Sequence, residues 1–155
     1  MKMPPVLRTV LVALALLSLS SDMYAQKVSP FAVGASTPLR RTLLNTVRPN
    51  IEKAMAQKVK FQVRRLNANA EWAFLDGIAL QPNGKPVDLK QTPFKNVEPM
   101  DGPTVFALLR KKAGHWRIVT YSIGPTDVVW SGWDEEFGVP GALLGKTRNV
   151  PQKQK

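Results

Sequence analysis

The chain has 155 residues, with 22 Lys or Arg against 11 Asp or Glu, a formal net charge of +11 and no cysteine. The missing thiols exclude a disulfide framework, a thiolate metal site and a lipid-modified cysteine, so stability must come from packing. The excess of cations points to polyanionic partners, and a single histidine leaves no second imidazole with which to build a metal centre.

The chain opens with a basic segment carrying Lys2 and Arg8, followed over residues 9–19 by an uncharged run of mainly Val, Leu and Ala. At about 1.5 Å per residue such a run reaches roughly 16 Å as a helix, against a hydrocarbon core of roughly 30 Å, which is too short for a stable span. Basic and apolar regions followed by polar residues 20–24 read as a cleavable signal peptide of residues 1–25. Cleavage after Ala25 leaves Met23 where a small residue is preferred, so cleavage after Ser20, preceded by Ser18, stays open. Export to the periplasm or the medium follows, with no transmembrane anchor after cleavage. Cleavage after Ala25 removes Lys2, Arg8 and Asp22 and leaves 20 basic and 10 acidic residues, a net charge of +10.

Residues 26–36 are small, polar and unpatterned, and read as a flexible lead-in. Thr37 and Pro38 then supply an N-cap and a proline at the first helical position, where a missing N–H costs nothing. Leu39, Leu43, Leu44, Val47, Ile51 and Met55 recur at spacings of three and four, the stripe of one long amphipathic helix. Pro49 either kinks that helix or starts a second one, and the unbroken stripe favours the kink. From Lys58 the period changes to two. Val59, Phe61 and Val63 alternate with Lys60, Gln62 and Arg64, a strand with one basic face.

A turn at residues 67–69 leads to a second strand over residues 71–80, in which Gly77 marks a bulge. Residues 81–103 hold five prolines and an Asn83-Gly84 pair, the composition of a long mobile surface loop. Strands over residues 104–111 and 115–123 flank Lys112-Ala113-Gly114 and form a second hairpin. Thr126 and Asp127 stand as caps for a short helix running through Val128, Trp130 and Trp133 to Phe137. Gly138, Pro140 and Gly145 then signal loss of regular structure, and residues 146–155 form a basic frayed tail. The resulting expectation is an α+β domain over residues 37–145, in which a long N-terminal helix kinked near Pro49 covers one face of a four-stranded antiparallel sheet of two hairpins, followed by a short C-terminal helix. Its core would be one cluster of Val59, Phe61, Val63, Trp72, Phe74, Leu108, Trp116 and Ile118 under Leu43, Leu44, Val47 and Ile51.

Taken together, R-x-x-L-L-x-x-x-R-x-x-I-E from Arg40, V-x-F-x-V from Val59, W-A-F from Trp72, W-R-I-V from Trp116 and G-P-T-D-V-V-W ending at Trp130 resemble a group of small exported bacterial proteins of uncharacterised function. In outline the order of elements is also similar to cystatin-like and nuclear-transport-factor-like folds, short of the full strand complement of the latter. The resemblance implies no activity, since such architectures host enzymes, inhibitors and carriers alike.

His115 follows the second hairpin turn with no metal-ligating neighbour, and none of the serines stands in a G-x-S-x-G elbow, so no catalytic residue and no metal or cofactor site is assigned. Asp127, Asp134 and Glu135 interleave with Trp130 and Trp133, the carboxylate and indole mixture used by sugar-processing sites. A glycosidase also needs two carboxyl groups facing each other about 5 to 10 Å apart, which a single short helix does not supply without a partner such as Glu71 or Asp76. The alternative is that the indoles pack on the sheet while the acids face water. Lys58, Lys60, Arg64, Arg65, Arg110, Lys111 and Arg117 supply cations to one sheet face, and arginine in particular suits bidentate binding of phosphate or carboxylate.

Three functions are compatible with these residues. The first is a non-enzymatic exported binding module that takes an anionic envelope polymer, a lipid head group or an acidic protein on its basic face. The second is a small envelope glycan hydrolase built on the segment from Trp130 to Glu136. The third is an inhibitor or immunity protein. The aromatic and glycine signatures of nucleic-acid modules are missing, and nothing in the sequence sets an oligomeric state.

Overall fold

Helix α1 (Pro38–Met55) starts where the Thr37 side chain accepts the Arg40 N–H, with Pro38 in the first turn. It runs unbroken through Pro49, an exposed position where one lost N–H is tolerated. The computed structural model describes residues 29–97 and 100–146. The segment read as a signal peptide, with both candidate cleavage sites, and residues 147–155 of the segment read as a basic tail lie outside the described residues.

The fold is α+β, with a five-stranded antiparallel sheet in the order β1 (Phe31–Ala32), β2 (Lys60–Ala68), β3 (Trp72–Leu80), β4 (Thr104–Lys112) and β5 (His115–Ile123). Both expected hairpins form, β2–β3 and β4–β5. The count of four strands is corrected to five. Phe31 and Ala32, inside the segment read as a lead-in, pair with Ala68 and Asn67 of β2. A strand of two residues has no period for a sequence to display.

Leu43, Val47, Ile51 and Met55 on α1 are buried against Leu66, Ala73, Leu75, Ala79, Val105, Ala107 and Leu109 of the sheet, with Phe61, Val63, Trp116 and Ile118 packed at the margin. The expectation of a single cluster is corrected by a second core on the opposite face. Trp72, Phe74, Phe106 and Leu108 point away from α1 and pack on Trp133, Val139, Leu143 and Leu144. The central strand β3 is buried on both faces, so its run Trp72-Ala73-Phe74-Leu75 does not alternate in polarity. Its helix-facing positions are the small ones, and Gly77 lies against the β2 backbone, where an added Cβ would sit 2.9 Å from the Gln62 carbonyl oxygen. The bulge marked at Gly77 belongs to the partner strand, where the register shifts between Val63 and Arg65.

The second core is closed by the C-terminal segment. A 3₁₀ turn (Val129–Gly132), helix α2 (Trp133–Phe137) and another 3₁₀ turn (Gly141–Leu144) lie across the sheet in place of the expected loss of structure. Thr126 and Asp127 do not cap α2 with their side chains; the Asp127 carbonyl accepts the Val129 N–H. Residues 81–97 and 100–103, read as a mobile loop, contain a bridge between Leu80 and Pro86, a 3₁₀ turn (Leu89–Gln91) and the buried side chains of Val87 and Thr92. Among the described residues no helix is long and apolar enough to cross a membrane.

Candidate functional site

The seven cations assigned to one sheet face divide into those the fold uses and those it leaves open. Lys58 closes the corner between α1 and β2, its ammonium 2.9 Å from the Glu52 carboxylate, which also accepts the Val59 N–H. These two bonds hold the Glu52 carboxyl below its ordinary range. Lys60 donates to the Pro82 carbonyl at 2.8 Å.

Arg64 and Arg65 flank the β2 bulge and both reach the face opposite α1. Arg64 binds Asp76 through Nη2 at 2.6 Å and through Nε at 2.7 Å, with its guanidinium 6.0 Å from the Phe106 ring. Arg65 donates to the Leu144 carbonyl at 2.7 Å and lies 5.9 Å from the Trp130 ring. Next to it, Asn67 donates to the Leu143 carbonyl at 2.8 Å. Gly145, at φ +82°, is required here, because a Cβ would collide with the Arg65 guanidinium. Arg65 holds the C-terminal segment on the sheet, while Arg64 is engaged by Asp76 within the sheet.

Arg110 and Arg117 are different. The β4–β5 register places them directly opposite one another, with Lys112 and His115 as the adjacent pair on the same face. All four are exposed. Like charges directly across an antiparallel pair destabilise it. Arg110 covers the Trp72 ring at 4.9 Å, which fixes one guanidinium plane against the sheet. Among the described residues no ion pair is formed by Arg110, Lys112 or Arg117. Lys111 points to the α1 side, 5.8 Å from the Trp116 ring, and so does not join this face. The hairpin turns on Ala113 and Gly114, both at positive φ, as the two-residue loops that match strand twist require.

The sugar-site residues are placed by packing. Trp133 is 5 % exposed and meets Phe74 edge-on at 6.2 Å, while half-buried Trp130 lies against Phe74 and Phe106 at 5.8 and 6.3 Å. Neither indole offers a free platform. Asp134 is bound by Lys146 at 2.6 Å, which holds its carboxyl below the ordinary range, opposite to what a general acid needs. Asp127 and Glu135 are exposed, and Asp76 is engaged by Arg64. Among the described residues no three His, Asp or Glu side chains gather as a metal would require.

Two recesses lie among the described residues. One of about 470 Å³, in the loop before β4, is lined by Val87, Leu89, Phe94 and Met100 with Lys90 and Lys95. The other, of about 240 Å³, is lined by Arg40, Arg41 and Arg48 of α1, where Arg48 is bonded to Asn45 and lies over Phe61. Charge pattern alone does not separate Arg64 and Arg65 from Arg110 and Arg117, because Asp76 and Leu144 reach the former only through the fold. Comparison with protein-family models, curated proteins and solved structures found no match for this chain.

Proposed function

We propose that the protein is an exported, non-enzymatic binding module that takes carboxylate- or phosphate-bearing partners on the β4–β5 hairpin. One observation carries this reading: Arg110 and Arg117 stand opposite one another across the hairpin, beside Lys112 and, among the described residues, without an ion-pairing carboxylate. An anion set between two guanidinium groups relieves their repulsion and accepts a bidentate bond from either. A purely structural surface has no reason to keep like charges in register, since alternating signs give the same solubility at lower cost. The sugar-hydrolase alternative has no such support, with its indoles packed and Asp134 paired.

The test is retention of the mature protein on phosphatidylglycerol vesicles, on purified cell wall and on immobilised polyglutamate, between about 50 and about 500 mM salt. Expected is binding to at least one of the three that falls steeply with salt, and that drops about tenfold or more in the Arg110→Ser/Arg117→Ser double variant. Retention that is the same at both salt concentrations, or the same in the double variant, overturns the reading.

A further inference from the structure

The two edges of the sheet are treated differently. On the β2 side the edge is partly covered by β1, and its open part carries Lys60, Arg64 and Arg65, cations of the kind by which edge strands avoid pairing with other chains. On the other side β5 is the last strand, and among the described residues nothing pairs with its outer backbone row. This strand is nine residues long, contains no proline, glycine or acidic residue, and has Arg117 as its one permanent charge. Val119 and Tyr121 are 40 % and 41 % exposed.

We infer that β5 accepts an additional strand from an acidic partner protein, an extended segment in which acidic residues alternate with apolar ones. This rests on the anion-binding reading above and names the partner for the same hairpin. A strand laid along β5 places successive side chains on opposite faces. On one face they meet Arg117, with Arg110 one strand further in. On the other they meet Tyr121 and the margin of the helix-side core formed by Trp116, Ile118 and Ile123. The period of two in the partner is therefore dictated by β5 itself: carboxylates on the arginine side, aliphatic groups on the helix side.

Charge and place argue against the other occupants. A second copy would bring a mature net charge of +10 and its own Arg117 row to the same edge. The chain's own N-terminal segment enters the sheet at β1, four strands away, and residues 147–155 carry no acidic side chain.

The experiment uses the mature protein and a peptide of roughly eight residues, an ordinary strand length, alternating glutamate with valine. A second peptide carries the same sequence methylated on every other backbone nitrogen, which preserves charge and removes the ladder donors along one edge. Expected is salt-sensitive binding of the first peptide, about tenfold or more weaker binding of the methylated one, and protection of β5 amides from hydrogen exchange in the complex. Arg117→Glu, with folding checked by circular dichroism, should lose the glutamate peptide to a similar extent and gain a peptide alternating lysine with valine.

Equal binding of methylated and unmethylated peptides overturns the inference and leaves the anion-binding reading intact. Concentration-dependent self-association that protects β5 in the absence of peptide overturns it in favour of a second copy. Failure to hold the peptide, polyglutamate, vesicles and cell wall alike removes both.

Discussion

Trp133→Ala tests whether the C-terminal segment is core or covering. The indole is 5 % exposed, meets Phe74 at 6.2 Å and Phe137 at 6.4 Å, and shares a cluster with Trp72, Phe106, Leu108, Leu143 and Leu144. A tryptophan of this kind buries about 150 to 250 Å². At about 25 cal/mol per Å² that is roughly 4 to 6 kcal/mol as an upper bound. Partial collapse of the site brings the expected loss to about 3 to 5 kcal/mol. Against a total stability of about 5 to 15 kcal/mol for a domain of this size, the loss is large, and it should lower Tm by more than about 10 °C. Urea and thermal unfolding followed by far-ultraviolet circular dichroism give the number without relying on tryptophan emission. Glu135→Ala, an exposed change on the same short helix, is the control and should move Tm by less than about 2 °C. A Trp133→Ala protein melting within about 2 °C of the parent would show that residues 129–144 do not close the sheet, and the second core would be wrong.

Trp72→Ala removes the other large side chain of that cluster, 9 % exposed under Arg110, and should also cost about 3 to 5 kcal/mol, read as a shift in urea midpoint. Gly124→Ala should destabilise by at least about 1 to 2 kcal/mol in the same assay. Its φ is +61° and a Cβ would sit 2.8 Å from the Gly102 carbonyl oxygen and 2.6 Å from Met100 Cε. Pro49→Ala should stabilise by on the order of 1 to 3 kcal/mol, since the position is exposed within α1 and alanine restores the missing helical N–H. Lys146 lowers the Asp134 carboxyl and Lys58 lowers that of Glu52, each chiefly by a hydrogen bond. Both groups therefore bind protons more readily when unfolded, and their contribution is present at neutral pH. It is lost as the pH falls past the ordinary values of 3.8 and 4.5 and through the depressed folded ones. Acid titration of Tm should show a shallower decline in Lys146→Met than in the parent.

The helix was legible because Leu43, Val47, Ile51 and Met55 need only one period and one face, and all four are fully buried. The start of β2 was legible for the same reason. What hid the second core is the division of labour on β3. Reading large apolar side chains as inward assigns Trp72 and Phe74 to the helix, yet the β3 residues that face it are Ala73, Leu75 and Ala79, alternating with them. The bulky residues turn instead toward the thinner layer of 3₁₀ turns and α2, which they must fill. That layer was hidden in turn by Gly138, Pro140 and Gly145, whose chemistry announces turns correctly but says nothing of Val139, Leu143 and Leu144 between them. The bulge at Arg64 and Arg65 was hidden because two adjacent cations look alike whichever face each takes. In the candidate site, the strands carrying Arg110 and Arg117 were legible, but a loop of Lys112-Ala113-Gly114 would set Arg110 opposite Trp116, and only the two-residue turn on Ala113 and Gly114 sets it opposite Arg117. The engagement of Arg65 by Leu144 spans 79 positions and has no local signal.

The division among the cations has an energetic consequence that separates fold from function. Arg64, Arg65 and Lys146 each meet an acceptor on a neighbouring element, so removing any of them leaves a carboxylate or a carbonyl without its donor, and losing Arg65 or Lys146 loosens the C-terminal layer. Arg110 and Arg117 stand opposite one another in the register, so removing Arg117 relieves a repulsion and should leave stability unchanged or slightly raised, within about 0.2 to 1 kcal/mol. Arg117→Thr, a β-branched residue in an edge strand, should therefore melt at or above the parent while losing affinity for polyglutamate, whereas Arg65→Met should melt below it. The paired measurement is informative because the two substitutions remove the same charge from the same sheet face. If both lower Tm to a similar extent, Arg117 is a structural residue, and the hairpin no longer stands apart from the rest of the basic surface.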